Sequence, residues 1–207
     1  MKPRKSSITY QLGNSLYLNI TNRCTNKCEF CIRYKTKTFH SKYPLWLDKE
    51  PTAAELIKEI GDPKKYDEIV FCGYGEPLIR LDVAKEVAKT LKEKGARVRI
   101  DTNGESNLFH KRNILPELKG LVDEIQISLN AENAELHEKF CHSDYGEKSY
   151  ESILDFIKEA KKYIPKVVAT VVDLPEIDKE KCRKIAESLG VGFRIRPYYE
   201  EVYPEKK

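Results

Sequence analysis

The sequence predicts an α/β protein: a partial (β/α)6 barrel of the TIM type, built as a single domain around a parallel sheet. Short strand-like runs end in Gly, Thr or Asn and alternate with helical patterns, which is typical of repeated βα units. Several of the strand runs carry one polar face. The length of 207 residues is sufficient for one sizeable core.

The βα pattern repeats six times along the chain. The predicted strands are 16–21, 68–73, 97–102, 124–129, 166–172 and 191–196. The predicted helices are 52–60, 81–94, 112–118, 149–163 and 179–189. Thr52 after Pro51 is typical of a helix start, and Gly95 of a helix end. Each predicted helix therefore joins one strand to the next.

Polar strand faces decide between a barrel and a doubly wound open sheet. In the last strand, Arg194 and Arg196 alternate with apolar residues and must share one face. An open sheet covered by helices on both sides would bury such charges at a cost of several kcal/mol each. In a curved sheet these charged side chains point into the lumen instead, so we favour the barrel. The other strands contribute the polar residues Asn19, Thr21, Arg99, Asp101, Gln126 and Ser128.

Composition indicates an ordinary soluble protein, with 40% hydrophobic and 34% charged residues and a net charge of +4. Apolar runs fall short of the ~20 residues that a membrane span needs, and the basic N-terminus lacks the apolar core of a secretion signal. We therefore expect a cytoplasmic protein without a membrane partner. We expect residues 1–207 to form the single domain, with a loop at 32–50 and a short polar tail at 199–207.

The motif Cys24-x3-Cys28-x2-Cys31 directly follows the first predicted strand, which places it at the carboxyl edge of the sheet. In a reducing compartment, clustered thiols indicate metal binding or catalysis rather than disulfides. Three thiolates can bind three corners of an iron-sulfur cubane and leave the fourth iron open. The alternative is a zinc site, which needs a fourth ligand, and His40 is the near candidate for it.

This motif, with Phe30 just before its last cysteine, resembles the signature of the radical S-adenosylmethionine (SAM) superfamily. The resemblance implies a 4Fe-4S cluster held by Cys24, Cys28 and Cys31, with SAM chelating the fourth iron. It also implies reductive cleavage of SAM to a 5'-deoxyadenosyl radical, which abstracts hydrogen from a substrate. An electron donor such as a flavodoxin or ferredoxin would supply the electron.

Later strand ends resemble the SAM-binding segments of the same family. Residues 73–77 (Gly-Tyr-Gly-Glu-Pro) are similar to a Gly-Gly-Glu-Pro segment that receives the SAM ammonium, with Tyr74 as the departure. Either arginine of the last strand could pair with the SAM carboxylate or a substrate anion, or serve as a structural ion-pair partner. The implied SAM contacts are Phe30, Gly73, Tyr74, Gly75, Glu76, Pro77, Thr102, Asn103, Ser128, Asn130, Arg194 and Arg196.

The segments 115–125, 145–148 and 193–198 resemble the small radical SAM proteins associated with TatD-type nucleases. That name describes an association, and it implies neither a substrate nor nuclease activity.

Three further cysteines lie outside the motif. Cys72 and Cys182 are expected to be small buried hydrophobes. Cys141 is the better functional candidate, because its thiol could donate hydrogen to a radical or bind a metal with His137 or His142. A buried hydrophobic role stays open for Cys141 as well.

The segment 33–46 mixes cations and aromatic residues beside the expected cluster. Such a segment could bind a nucleotide or an anionic small molecule, or it could be a solvated loop. The modest net charge argues against nucleic acid without excluding it.

The resulting function is radical SAM chemistry on a substrate that the sequence does not identify, and no catalytic side chain is assigned. The enzyme alternatives are a glycyl-radical-type activating enzyme, which would act on a protein partner, and a nucleotide- or deazapurine-modifying enzyme. The non-enzymatic alternative is an iron-sulfur regulatory or electron-transfer protein.

Overall fold

The structure is a computed structural model, and it describes residues 6–198. Its main feature is a seven-stranded sheet in the order β1-β2-β5-β6-β7-β8-β9, beside a separate two-stranded sheet of β3 and β4. The strands are β1 (Thr9–Leu12), β2 (Ser15–Leu18), β3 (Thr38–Phe39), β4 (Tyr43–Pro44), β5 (Glu68–Phe71), β6 (Val98–Thr102), β7 (Glu124–Ser128), β8 (Lys166–Val172) and β9 (Gly192–Arg196).

The six predicted strands correspond to β2 and β5 to β9, and they pair in parallel as neighbours in chain order. A doubly wound sheet would reverse its strand order at a switch point, and this sheet does not. The order is that of a partial barrel, so the predicted fold class is confirmed.

Strand β1 was not predicted. It pairs with β2 in an antiparallel hairpin, with Thr9 opposite Leu18 and Leu12 opposite Ser15. The two residues between the strands are Gly13 and Asn14, and Gly13 has a φ of +57°. A two-residue loop with a positive φ is the usual hairpin connection. The Gly-Asn pair could therefore have predicted this hairpin from the sequence.

The helices are α1 (Ile32–Lys35), α2 (Ala53–Ile60), α3 (Leu81–Glu93), α4 (Ser106–His110), α5 (Ala134–Cys141), α6 (Lys148–Ala160) and α7 (Lys179–Ser188). The predicted start Thr52 is the N-cap of α2: its side chain accepts from Glu55 N, and Thr52 N donates to the Glu55 carboxylate. Helices α3, α6 and α7 match their predicted positions within three residues.

The predicted helix 112–118 is wrong. Helix α4 ends at His110, Lys111 has a left-handed φ of +53°, and only a 3-10 turn forms at Leu115–Leu118. Pro116 lies at the start of that turn, where its missing N–H costs no hydrogen bond. Helix α5 was not predicted, although Asn133 caps it by accepting from Leu136 N at 2.9 Å.

The apolar faces of the strands and helices form one large core that runs from Leu16 to Ala186. A smaller cluster of Tyr10, Phe39, Leu45 and Tyr74 anchors the segment after the cysteines. This segment, 32–50, was predicted as a loop, but it contains α1 and the β3–β4 hairpin. The predicted tail 199–207 lies outside the described residues.

Charged groups on the polar face of the sheet pair with one another. Arg99 Nη1 lies 2.8 Å from Glu68 Oε1, and Arg99 Nε lies 3.1 Å from Asp101 Oδ1. Arg194 donates to Gln126 Oε1 at 3.3 Å. The predicted polar face is thus confirmed for β6, β7 and β9.

Asn19 and Thr21 differ from that prediction, because β2 ends at Leu18 and both residues follow it. Asn19 donates to Leu45 O at 2.7 Å, and Thr21 donates to Glu50 Oε1 at 2.5 Å. They fasten the following segment to the sheet instead of lining a lumen. Across residues 6–198, no helix is both long enough and apolar enough to cross a membrane.

Candidate active site at the carboxyl edge of the sheet

The three cysteines of the motif lie on the loop between β2 and α1, at the carboxyl edge of the parallel sheet. A turn closed by a hydrogen bond from Cys31 N to Cys28 O, at 3.0 Å, brings the last two together. All three cysteines are partly exposed. The loop can therefore present its thiols to a cofactor at this edge.

The cysteine loop is docked on the chain that follows α5. Lys27 N donates to Cys141 O at 2.9 Å, and Glu29 N donates to Phe140 O at 3.0 Å. A further bridge pairs Asn26 with Ser143. These backbone bonds hold the loop to an element more than 100 residues later in the sequence, so its shape depends on the complete fold.

Arg33 also holds the loop, a role that the sequence did not reveal. Its guanidinium donates to Asn22 O at 3.1 Å and to Asn26 O at 2.9 Å, on either side of Cys24. Arg33 follows Cys31 by two residues, in the first turn of α1. A cation so close to clustered thiols in the sequence was the signal that could have identified it.

The thiols are protonated in the protein without metal. Burial raises the pKa of Cys24 to about 12, and the charge of Glu76 raises it further. Burial also raises the pKa of Cys31. Because metals bind thiolates, a bound cluster would displace these protons.

The glycine turn packs directly against the start of the cysteine loop. A Cβ on Gly75 would lie 2.5 Å from the carbonyl oxygens of Thr21 and Arg23, and one on Gly73 would lie 2.2 Å from Asn19 Oδ1. Side chains at both positions are thus excluded by the protein itself. These glycines have a packing role in addition to the cofactor contact that the resemblance implies.

Tyr74 directs its side chain away from the glycine turn and into the smaller apolar cluster. Its hydroxyl donates to Thr36 O at 2.6 Å. Pro77, next along the turn, is buried at the start of a 3-10 helix, Pro77–Arg80. The tyrosine that departs from the family pattern therefore fastens the segment after α1 to the sheet.

Glu76 links the ends of two neighbouring strands. Its carboxylate accepts from Thr102 Oγ1 at 2.8 Å, Asn103 N at 2.7 Å and Leu78 N at 2.9 Å. Burial raises the pKa of Glu76 to about 7, against the opposing effect of these donors. The side chain fixes the glycine turn relative to β6.

Asn103 and Glu105 connect the end of β6 to the cysteine loop. Asn103 Nδ2 donates to Thr25 Oγ1 at 2.7 Å. The buried Glu105 carboxylate accepts from the hydroxyls of Thr25 and Ser149. Glu105 was not predicted, because its partners lie 80 and 44 residues away in the sequence.

The two arginines of β9 occupy different environments. Arg196 Nη2 donates to Ser128 Oγ at 3.2 Å and Asn130 Oδ1 at 3.1 Å, which joins three of the predicted SAM contacts. Its Nε is buried without a hydrogen-bond partner among the described residues. Its positive charge lowers the pKa of both Cys28 and Cys31, although burial and thiol contacts outweigh this effect. Arg194 is exposed and lies lower on the strand, beside Gln126.

Residues 18–189 match the family model of the Radical SAM superfamily, which covers most of the chain. The chain belongs to this superfamily. Among curated radical SAM relatives, it is 31% identical over 170 residues to a Methanocaldococcus jannaschii protein described as a glycyl-radical enzyme activating enzyme. It is 25% identical over 205 residues to a protein of the same organism described as a GTP 3',8-cyclase.

The matches span 80% and 92% of this chain but 65% and 64% of those two relatives, so the chain covers less than two thirds of their lengths. Among solved structures, Streptococcus suis SuiB bound to its precursor peptide SuiA superposes with a TM-score of 0.65 at 15% identity. That alignment covers 90% of this chain and 40% of SuiB. It confirms the fold.

The thiol set of this radical SAM chain fits a 4Fe-4S cluster. Three thiolates on one loop at the carboxyl edge can bind three irons of a cubane and leave the fourth iron without a protein ligand. A structural zinc site would need a fourth protein ligand. His40, the candidate for that ligand, lies on the β3–β4 turn with its ring against Phe39.

The surroundings of Arg196 fit SAM. Arg196 is partly buried, its hydrogen-bond acceptors are neutral, and its buried Nε has no acceptor among the described residues, so an added anion would stabilise it. Burial raises the pKa of Asp101 and the charge of Arg196 opposes this effect, but within residues 6–198 no carboxylate lies within ion-pair distance of Arg196. The carboxylate of SAM is an anion of suitable size, and Ser128 and Asn130, two of the predicted SAM contacts, lie beside the Arg196 guanidinium.

The remaining predicted residues have simpler environments. Phe30 is partly buried against the main core, and Cys182 is fully buried within it. Cys72 differs from the prediction of a small buried hydrophobe, because it is partly exposed and outside the main core; desolvation of its thiol, followed by the charge of Asp101, raises its pKa to about 12. His142 contacts Glu29 at 3.0 Å, and neither ring nitrogen of the buried His137 has a hydrogen-bond partner within residues 6–198.

Proposed function

We propose that this chain is an enzyme that binds a 4Fe-4S cluster through Cys24, Cys28 and Cys31 and cleaves SAM reductively. The observation that carries the proposal is the position of Arg196, whose buried Nε has no hydrogen-bond partner in residues 6–198 and whose charge acts on the thiols of Cys28 and Cys31. A charge in this position favours an anionic ligand. The SAM carboxylate would supply that anion.

A 4Fe-4S cluster on these cysteines would supply the electron for reductive cleavage of SAM to methionine and a 5'-deoxyadenosyl radical, which would abstract hydrogen from the substrate. The contribution of the chain is to position these groups. Arg33 fixes the cysteine loop, Glu76 fixes the glycine turn, and Arg196 orients the carboxylate of SAM.

The segment 32–50 supports a nucleotide-like substrate as one candidate. Tyr34 is 54% exposed and Trp46 is 42% exposed, and this stretch of sequence also carries lysines. Exposed aromatic rings can stack on a base while cations contact phosphate. The activating-enzyme relative supports a protein substrate as the other candidate.

We infer a single radical SAM core domain over residues 1–207, because the main core includes side chains from five of the parallel strands and Phe193 of the sixth, β9, packs against it. We also propose the subgroup associated with TatD-type nucleases, on the three segments that resemble it. A cytoplasmic location with a flavodoxin or ferredoxin as electron donor suits an oxygen-sensitive cluster. None of these proposals requires nuclease activity in this chain.

The test is anaerobic reconstitution, reduction with dithionite and incubation with SAM. We expect close to four irons per chain and formation of 5'-deoxyadenosine, both of which should be lost in Cys28→Ala. Cys182→Ala, which removes a buried thiol from the main core, is the matched control and should retain both. A fully loaded cluster that never cleaves SAM would support the regulatory or electron-transfer alternative. Zinc without iron would contradict the cluster.

A further inference from the structure

Cys141 lies at the end of α5, fully buried, next to the cysteine loop. The backbone bonds from Lys27 N to Cys141 O and from Glu29 N to Phe140 O place Cys28 and Cys141 on facing segments. Lys27 N also lies 3.3 Å from His142 O, and Asn26 pairs with Ser143 in an antiparallel bridge. Cys28 and Cys141 are therefore neighbours across the paired segments, and interaction with the Cys141 thiol, followed by burial, raises the pKa of Cys28.

A second contact orients the Cys141 thiol. Asn130 Nδ2 donates to Cys141 Sγ at 3.6 Å, while Asn130 Oδ1 accepts from Arg196 Nη2 at 3.1 Å. A guanidinium can only donate, so it fixes which end of the Asn130 amide faces Cys141. The Cys141 sulfur is thus an acceptor toward Asn130, and its own S–H is left to point elsewhere.

When Cys28 binds iron it is a thiolate, which can only accept hydrogen bonds. We propose that Cys141 donates its S–H to Cys28 Sγ and thereby raises the reduction potential of the cluster. The inference rests on the proposed function, because it requires the cluster on Cys28. It makes Cys141 a positioning and tuning residue, distinct from the hydrogen donor or metal ligand that its sequence position allowed.

The direction of the effect follows from charge. Reduction adds one electron to the cluster, and part of that charge resides on the ligand sulfurs. Hydrogen bonds to those sulfurs stabilise the reduced form and raise the potential. Because SAM cleavage depends on reducing the cluster, this contact would make a weak biological reductant more effective.

A purely apolar role for Cys141 does not explain the arrangement. Asn130 has a left-handed φ of +59° and is itself buried, yet its amide is shared between Arg196 and Cys141. An alanine at position 141 would leave the Asn130 N–H without this acceptor. Cys182 provides the contrast, since it is equally buried in a helix but belongs to the main apolar core.

The experiment is a redox titration of reconstituted wild type, Cys141→Ala, Cys141→Ser and Cys182→Ala, followed by electron paramagnetic resonance of the reduced cluster. We expect Cys141→Ala to lower the ratio of reduced to oxidised cluster at fixed potential by roughly tenfold, which equals about 59 mV for a one-electron couple. Cys141→Ser keeps a donor and should retain or raise the wild-type ratio. Cys182→Ala should match wild type.

A second measurement does not depend on potentials. In wild type, the magnetic resonance spectrum of the reduced cluster should contain a coupling to one proton that disappears after exchange into D2O. In Cys141→Ala that exchangeable coupling should be absent. Equal ratios in Cys141→Ala and Cys182→Ala, or a coupling that survives in Cys141→Ala, would overturn the inference. If Cys141→Ala does not fold, a lowered ratio in Cys141→Ser or a wild-type spectrum without the coupling overturns it. A wild-type protein without any cluster signal would instead contradict the proposed function.

Discussion

Arg196 shows how much one residue defines the candidate site. Two arginines share one face of β9, and only the surroundings of each one tell them apart. Arg194 is exposed and has an amide acceptor, whereas Arg196 is partly buried beside Ser128 and Asn130 with its Nε unpaired among the described residues. The alternation in the sequence predicted the shared face, but the difference in depth required the three-dimensional arrangement.

Replacing each arginine with glutamine should separate the two environments. Arg196→Gln should weaken SAM binding to the reconstituted protein by roughly 10- to 100-fold, since a hydrogen bond to a charged group contributes about 1.5–3 kcal/mol. Arg194→Gln should change the Kd by less than about threefold, because exposed charges contribute little. Isothermal titration calorimetry measures both values. Equal losses in the two variants would contradict the assignment of Arg196.

The glycine turn gives a second prediction at the residue scale. Gly75→Ala should reduce the free energy of unfolding by about 1–3 kcal/mol, because its Cβ would collide with the backbone of the cysteine loop. Iron content after reconstitution should fall as well. Urea denaturation and iron analysis measure the two effects.

Gly192→Ala is the matched control for that substitution. Its φ is ordinary, and its Cβ would meet a valine methyl at 3.3 Å instead of backbone carbonyls. A Gly75→Ala protein as stable and as iron-loaded as Gly192→Ala would show that the turn and the loop are not in close contact.

At the scale of elements, the sequence predicted the positions of long periodic strands and helices well. It predicted short elements that depend on local caps and turns poorly. Strand β8 has the bounds predicted for it, because its run of seven residues is rich in valine and contains only one polar residue, Thr170, after Lys166. Helix α5 escaped prediction because its eight residues mix charged and apolar side chains. The predicted helix 112–118 was wrong because local turn chemistry, at Lys111 and Pro116, overrides a helical pattern.

Glu76 joins the end of β5 to the end of β6. Titration of its carboxyl group should therefore change the free energy of unfolding of the whole chain with pH. Its folded pKa of about 7 lies above the ordinary 4.5, so the folded state binds the proton more tightly. The stability that Glu76 contributes is therefore largest below pH 4.5 and is lost as pH rises through 7.

Relative to Glu76→Gln, which cannot titrate, the cluster-free wild type should lose about 2–3 kcal/mol between pH 5 and pH 8. Urea denaturation of both proteins at the two pH values measures this difference. Glu187→Gln, at an exposed position of α7, should follow the wild type. Parallel pH dependence in wild type and Glu76→Gln would refute the raised pKa.

At the scale of the whole molecule, the core and the candidate site are separable. The main core lies between the strands and the helices and contains none of the three motif cysteines. The strand order and the motif position at the carboxyl edge were predictable from periodicity and spacing. The contacts that shape the cysteine loop, from Arg33, Glu105 and the chain after α5, were not, because they depend on which distant elements become neighbours.

Removing the cluster should consequently loosen the site and leave the fold intact. Hydrogen exchange should accelerate in the cysteine loop and in residues 140–144 together, because backbone hydrogen bonds join the two segments. Exchange in β6 to β8 should stay slow. Hydrogen–deuterium exchange mass spectrometry of the cluster-free and reconstituted proteins measures this. Faster exchange throughout the sheet would mean that the fold depends on the cluster.

The central claim is that this chain generates a SAM-derived radical that takes hydrogen from a substrate. The most direct measurement is the deuterium content of 5'-deoxyadenosine formed by the reduced, reconstituted protein with SAM and a deuterium-labelled cell extract. We predict that 5'-deoxyadenosine forms, gains deuterium from the extract, and disappears in Cys28→Ala. A fully loaded cluster that yields no 5'-deoxyadenosine, or yields it equally in Cys28→Ala, would contradict the claim.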